Sequence, residues 1–191
     1  AIDDSTAFVT DDLDEILDFA VYSPGLKWRL KTLNNMFGPL RKGDFGFIFA
    51  RPETGKTTFL ASEVTFMAEQ LKEDDGPVLW INLEEEGRKV KHRLYQAALG
   101  WTKEEIRDKK DEAKRLYSEI THGKILLYDD ATTHYRKIEK LCEEYNPSLV
   151  VIDQLDKVHG FQNDREDLRV GGIYVWAREL AKRYCPVIGV C

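Results

Sequence analysis

The segment Ala50-Arg51-Pro52-Glu53-Thr54-Gly55-Lys56-Thr57 carries the residue types that grip a triphosphate. In the pattern G-x-x-x-x-G-K-[ST], a tight loop turns successive backbone N–H groups toward phosphate oxygens. The helix that follows adds the positive end of its dipole. Gly55, Lys56 and Thr57 fill the last three positions, and Ala50 stands where the first glycine of the pattern falls. Gly55 permits close backbone approach because it has no side chain. Lys56 is expected to reach the β- and γ-phosphates, and the Thr57 hydroxyl to hold Mg²⁺. Thr58 completes the expected cradle, for which ATP is the expected nucleotide.

A second segment supplies the other half of such a site. Leu149-Val150-Val151-Ile152-Asp153 is an apolar run ending in an acid, and Asp153 is expected to bind the metal through water or polarise its shell. Many buried strands end in Asp, so the specificity comes from pairing this run with the loop. Hydrolysis also needs a group that orients and deprotonates water. Gln154 follows Asp153, so that group must come from elsewhere. Glu84, at the end of Val78-Leu79-Trp80-Ile81-Asn82-Leu83, is the candidate base, because the C-terminal strand ends of a parallel sheet share one crevice. Glu85 and Glu86 read as the solvated first turn of a helix.

The elements that must position these residues alternate along the chain. Strand runs are expected at 45–49, 78–83, 125–128, 149–152 and 187–190. Between them, Leu60, Val64, Met67 and Leu71 repeat at helical spacing, with Gly76-Pro77 as the stop. Helices are also expected over 85–98, 103–120 and 134–145, and along the stripe Ile173, Trp176, Ala177, Leu180, Ala181 and Tyr184. Uninterrupted apolar strands separated by helices imply an α/β fold, a mainly parallel sheet covered on both faces.

Composition narrows the class. The 191 residues are 42% hydrophobic and 32% charged, which describes a globular domain with a sizeable core. No run approaches the roughly 18 apolar residues of a membrane span, and the acidic start is unlike a signal peptide. Cys142, Cys185 and Cys191 show no CxxC spacing and read as small core residues of a reducing, cytoplasmic compartment. The net charge of −6 is unevenly placed: residues 1–26 hold seven acids and no Lys or Arg, which leaves 28 basic against 27 acidic residues over 27–191. A local basic groove for a nucleic acid is therefore compatible with the total. Within 11–20, Leu13, Ile16, Leu17 and Ala20 form one face of a short amphipathic helix with an acidic first turn, broken at Ser23-Pro24-Gly25. Such a helix either caps its own core or docks on a neighbour. Residues 1–24 are thus expected to be an acidic, linker-like segment ahead of a domain over 25–191. The chain starts at Ala1 and stops at Cys191 within an apolar run, which reads as part of something longer.

Taken together, Ala50 to Phe59, Leu83-Glu84 and Val150-Val151-Ile152-Asp153, with the lead-in Phe37-Gly38-Pro39-Leu40-Arg41-Lys42-Gly43-Asp44, resemble the RecA-like P-loop ATPase domain of DnaB-type replicative helicases, phage versions in particular. Ala50 departs modestly from that pattern. The likeness spans about residues 25–191. It implies a hexameric ring that moves on single-stranded DNA, with ATP bound between subunits, Glu84 as the catalytic glutamate and Asp153 as the metal aspartate. It further implies a linker role for the 11–20 helix, a primase partner and the cytoplasm of a host cell. A sensor residue, an arginine finger and a second DNA loop would follow Cys191, so hydrolysis and unwinding are expected to be weak in this stretch by itself. Lys157, Arg165 and Arg169 fall in a region that the resemblance directs at the central channel, where they are candidates for DNA phosphates. Three acids among them support the competing reading of a solvated loop. Other functions compatible with these motifs are a RecA-like recombinase or regulatory ATPase, a nucleotide-binding loader that does not translocate, and a small-molecule kinase.

Overall fold

A computed structural model describes residues 9–22, 24–51 and 54–191. Ser23, Pro52 and Glu53, the first from the expected helix break and the others from the expected phosphate loop, lie outside the described residues, as do Asp3 and Asp4.

Five strands form one sheet in the order β1-β5-β4-β2-β3, where β1 is Phe45–Ile48, β2 Val78–Asn82, β3 Ile125–Asp129, β4 Leu149–Asp153 and β5 Val187–Val190. Every neighbouring pair is parallel. The α/β architecture expected from the sequence is therefore the one observed. Every residue of β2, β4 and β5 is buried, which explains why these strands read as continuous apolar runs. The pleat still sorts their side chains. Val78, Trp80, Leu149 and Val151 join Leu60, Val64 and Met67 of helix α3 (Lys56–Glu69) on one face, together with Val90 and Leu94 of α4 (Gly87–Leu99) and Tyr117 of α6 (Lys110–Thr121). Leu79, Ile81, Val150 and Ile152 point the other way, onto Ile138 and Leu141 of α7 (Tyr135–Tyr145) and Ile173, Ala177 and Leu180 of α8 (Glu166–Arg183).

Several expected boundaries shift. The helix expected over 103–120 is two, α5 (Lys103–Asp108) and α6, because Lys109 leaves helical geometry at φ −122°, ψ 46°. Leu71 lies just past the end of α3 yet remains buried. Helix α2 (Lys31–Phe37) has no buried residue and so lacks the apolar period that would have announced it. α8 begins seven residues before its apolar stripe, at Glu166. The first helix is α1 (Leu13–Leu17), running into a π-helical turn over Asp18–Tyr22. Its start is fixed by a capping box: Glu15 N–H donates to Asp12 Oδ1 at 2.9 Å, and Asp12 N–H to Glu15 Oε2 at 3.0 Å. No residue of 13–22 is buried.

Residues 26–30 lie against α3 through polar anchors. The backbone N–H groups of Arg29 and Leu30 donate to the buried Glu63 carboxylate at 2.6 and 3.4 Å. Gln70 accepts from Lys27 N–H at 2.8 Å and donates to its carbonyl at 2.9 Å. Cys142 and Cys185 are buried and unpaired, and burial pushes the Cys142 thiol up to about 12.

Candidate active site

β1, β2 and β4 run in the same direction, so their C-terminal ends open on one side of the sheet. There a cleft of about 690 Å³ is lined by Gly55, Lys56, Thr57, Thr58, Glu84, Glu85 and Arg93. Side chains from three separate stretches of sequence meet around it.

The floor is the start of α3. Gly55 sits in the left-handed region, at φ 91° and ψ 21°, and no side chain caps the helix there. A residue with a Cβ would be strained at that φ, so glycine is what lets the loop turn into the helix. The uncapped N–H groups of the first turn, with Lys56 among them, form an anion-attracting end. Ahead of Gly55, the Thr54 hydroxyl and N–H donate to the Arg51 carbonyl at 2.7 and 3.4 Å. Ala50 N–H donates to the Cys191 carbonyl at 3.2 Å. That amide is committed to the sheet, so Ala50 closes the strand and contributes no donor to the cradle.

The Thr57 hydroxyl donates to Asp153 Oδ2 at 3.1 Å. Asp153 is 1% exposed, and its Oδ1 is buried without a hydrogen-bond partner among the described residues. Burial raises the Asp153 carboxyl above its ordinary value, the Thr57 hydrogen bond opposes that rise, Glu84 adds to it, and Lys56 opposes it. A buried carboxylate with one oxygen bonded and the other open, beside a hydroxyl and an ammonium, suits a hard, hydrated divalent cation such as Mg²⁺. The donor set therefore fits the metal expected from the sequence. The cation would offset the desolvation cost that Asp153 bears without it.

Glu84 is placed by its surroundings more than by its own strand. Leu83 N–H donates to the Asp153 carbonyl at 3.2 Å, one step beyond the β2–β4 ladder. Asn82 Nδ2 donates to Asp129 Oδ1 at 2.6 Å, and Gly87 N–H donates to Asp129 Oδ2 at 2.9 Å. Asn82 Nδ2 also bonds the Glu85 carbonyl. Residues 83–86 are thus strapped down at both ends by one carboxylate from β3. A Cβ at Gly87 would fall 2.5 Å from Asp129 Oδ2, so the strap requires glycine. The Glu84 carboxylate is half-exposed at the cleft, where Oε2 accepts from Gln154 Nε2 at 2.5 Å and Oε1 lies 3.7 Å from Lys157 Nζ.

Three further residues belong to this group. Glu85 is no solvated turn residue: its carboxylate makes a two-pronged pair with Arg93 of α4, with Arg93 NH2 donating to Oε1 at 2.9 Å. Arg93 brings a second cation to the cleft wall. An interval of eight, from a loop to the second turn of a helix, has no periodic signature. Gln154 stands out in the sequence only for not being an acid.

The three expected DNA contacts do not cluster as free cations. Lys157 pairs with Glu84, Arg165 pairs with Asp167 at 2.6 Å, and Arg169 pairs with Glu166 while its NH1 donates to the Asp156 carbonyl at 3.0 Å. Arg169 also lies on α8 and not in the preceding loop. No helix among the described residues is long and apolar enough to cross a membrane.

A family model described as AAA domain matches residues 14–191. Among solved structures, the chain is similar to one described as an ATPase domain, with a TM-score of 0.72 and 22% identity over 100% of this chain and 71% of that one. It is also similar to a DnaB-like replicative helicase, described together with its interactions with primase, with a TM-score of 0.69 and 20% identity over 87% of this chain. The chain spans 43% of that helicase's length. At such identities the likeness carries the fold. A sequence comparison with curated proteins gives no match.

Proposed function

The chain belongs to the AAA domain family, and from that premise we propose that it is the ATP-hydrolysing motor domain of a DnaB-type replicative DNA helicase. The observation that carries this reading is the Thr57–Asp153 hydrogen bond at 3.1 Å, set in a cleft that also presents Lys56 and Glu84. A triphosphate would lie on the first turn of α3, with Lys56 on its β- and γ-oxygens. Thr57 and Asp153 would hold Mg²⁺, which when bound neutralises charge developing on the phosphates. Glu84 would take the proton of the attacking water. Pro52, Glu53, Thr54 and Thr58 complete the proposed cradle.

The whole protein's partners belong to the same proposal. Single-stranded DNA would engage Lys157, Arg165 and Arg169, each exchanging an internal carboxylate or carbonyl for a backbone phosphate. Copies of the chain would assemble as a hexameric ring, with residues 1–24 as the linker segment ahead of the motor over 25–191. Support comes from the exposed apolar side chains Leu13, Phe19 and Val21, which gain by burial against a neighbour. A primase partner and a setting in the host cytoplasm, for a phage-encoded protein, complete it.

The test is ATP turnover by the full-length protein with and without single-stranded DNA. Stimulation of at least severalfold is expected. Equal rates with and without DNA would favour the loader or regulatory-ATPase reading and remove the motor assignment.

A further inference from the structure

Gln154 combines three features that no structural requirement of the turn explains. It follows directly on Asp153, it is only 7% exposed, and its backbone is left-handed at φ 70° and ψ 66°. Left-handed geometry favours Gly, and after it Asn or Asp, whose short side chains bond locally. A long side chain there is disfavoured by the backbone, and what it offers the site is its end group. That end group is the Nε2 atom donating to Glu84 Oε2 at 2.5 Å.

The platform beneath Gln154 is rigid. The 3₁₀ turn Leu155–Lys157 begins at Gln154, whose carbonyl accepts from Lys157 N–H at 3.0 Å. Leu155 is fully buried and packs so closely on β5 that a Cβ at Gly189 would lie 2.6 Å from its Cδ2. From α8, Arg169 fastens the Asp156 carbonyl at 3.0 Å. Glu84, by contrast, projects from a loop and is half-exposed. A free glutamate there would sample several rotamers, and a general base must sit within hydrogen-bond reach of its water.

We propose that Gln154 is a positioning residue: its amide fixes the Glu84 carboxylate over the phosphate cleft, with Lys157 as a weaker second tether from the same turn. The proposal rests on Glu84 being the water-activating base. It also gives the segment after β4 a route to the chemistry, because whatever displaces the turn at 154–157 moves both groups that hold Glu84. The Lys157 contact spans 3.7 Å between half-exposed groups and is the weaker of the two.

The test uses Gln154→Asn in the full-length protein, with Gln154→Gly beside it. Both replacements suit left-handed backbone, so neither lowers the melting temperature through the turn. Asn is one methylene too short to reach Glu84, and Gly has no end group. The expected result is a kcat reduced roughly ten- to a hundredfold, with KM and directly titrated ATP affinity within about twofold of wild type and an unchanged or higher melting temperature. A kcat close to wild type in Gln154→Asn overturns the proposal, and so does a loss of activity that only tracks lost stability or lost ATP binding. Wild type and Glu84→Gln are run alongside. An inert wild type, or an active Glu84→Gln, removes the base assignment and this inference with it. An active wild type, an inert Glu84→Gln and an active Gln154→Asn remove the positioning role alone.

Discussion

The Thr57 hydroxyl and the Asp153 carboxylate, 96 residues apart in sequence, meet at 3.1 Å. The contact joins the first turn of α3 to the end of β4 and aligns the hydroxyl with a carboxylate whose second oxygen is buried and open. It is also where electrostatics oppose folding. Burial lifts the Asp153 carboxyl above the ordinary aspartate value of 3.8, so the folded chain binds its proton more tightly than the unfolded chain does. Stability therefore falls as pH rises from the ordinary aspartate range through the raised value, and the penalty is complete above it.

Asp153→Asn keeps an acceptor for Thr57 and removes that penalty. In metal-free buffer without nucleotide, the variant should melt higher than wild type at neutral pH, with the gap closing toward about pH 4. Thermal melts across pH decide this, and a gap that does not depend on pH would mean that folding leaves the Asp153 carboxyl unshifted. The same variant should lose the Mg²⁺ dependence of nucleotide binding.

Lys56→Ala should weaken binding of the triphosphate itself. Loss of a charge-assisted contact to phosphate costs about 1.5–3 kcal/mol, roughly ten- to a hundredfold in Kd. Titration with a fluorescent ATP analogue measures it, and unchanged affinity would remove the phosphate-loop assignment.

Glu84→Gln preserves shape and the capacity to bond Gln154 but removes the base. Nucleotide affinity should stay within about twofold while turnover falls on the order of 10²- to 10⁴-fold. Surviving turnover would place the activation of water on another residue.

Gly87→Ala should act on the site from outside it. The new Cβ would fall 2.5 Å from the Asp129 carboxylate, whose two oxygens are held by Asn82 and Gly87. Overpacking of this kind costs about 1–3 kcal/mol, which lowers the melting temperature of a chain this size by about 2–4 °C per kcal/mol. Turnover should fall as the strap over 83–86 shifts. A variant as stable and active as wild type would show that the strap does not set Glu84.

Glu63→Ala would leave the Arg29 and Leu30 N–H groups without their acceptor. Losing hydrogen bonds to a charged acceptor costs about 1–3 kcal/mol. A urea midpoint shift with nucleotide affinity retained is the expected reading, since Glu63 lies more than a helical turn from Thr57 along α3.

Local sequence determined the parts of this protein that local forces control. The β-branched run 149–152 had to be a buried strand, and Gly55-Lys56-Thr57 after a strand had to open a helix; Gly76-Pro77, expected to stop that helix, lies beyond its actual end at Glu69. Those requirements concern backbone freedom, side-chain period and the dipole of one helix. Each is settled within a few residues, so the parallel α/β fold and the helix that opens after Gly55 could be read directly. The order β1-β5-β4-β2-β3 has no such local cause. It brings Glu84 beside Gln154, sets Asp129 under Gly87, and ties the Ala50 amide to Cys191. These contacts link residues from strands that are neighbours in the sheet but distant in the chain. Nothing in the period or composition of either partner carries the other's position. The pairing of Glu85 with Arg93 is likewise a product of how the loop enters α4. Sequence thus supplied the chemical groups and the elements that bear them. Tertiary packing decided which carboxylate is held, by what, and which amide is committed to the sheet.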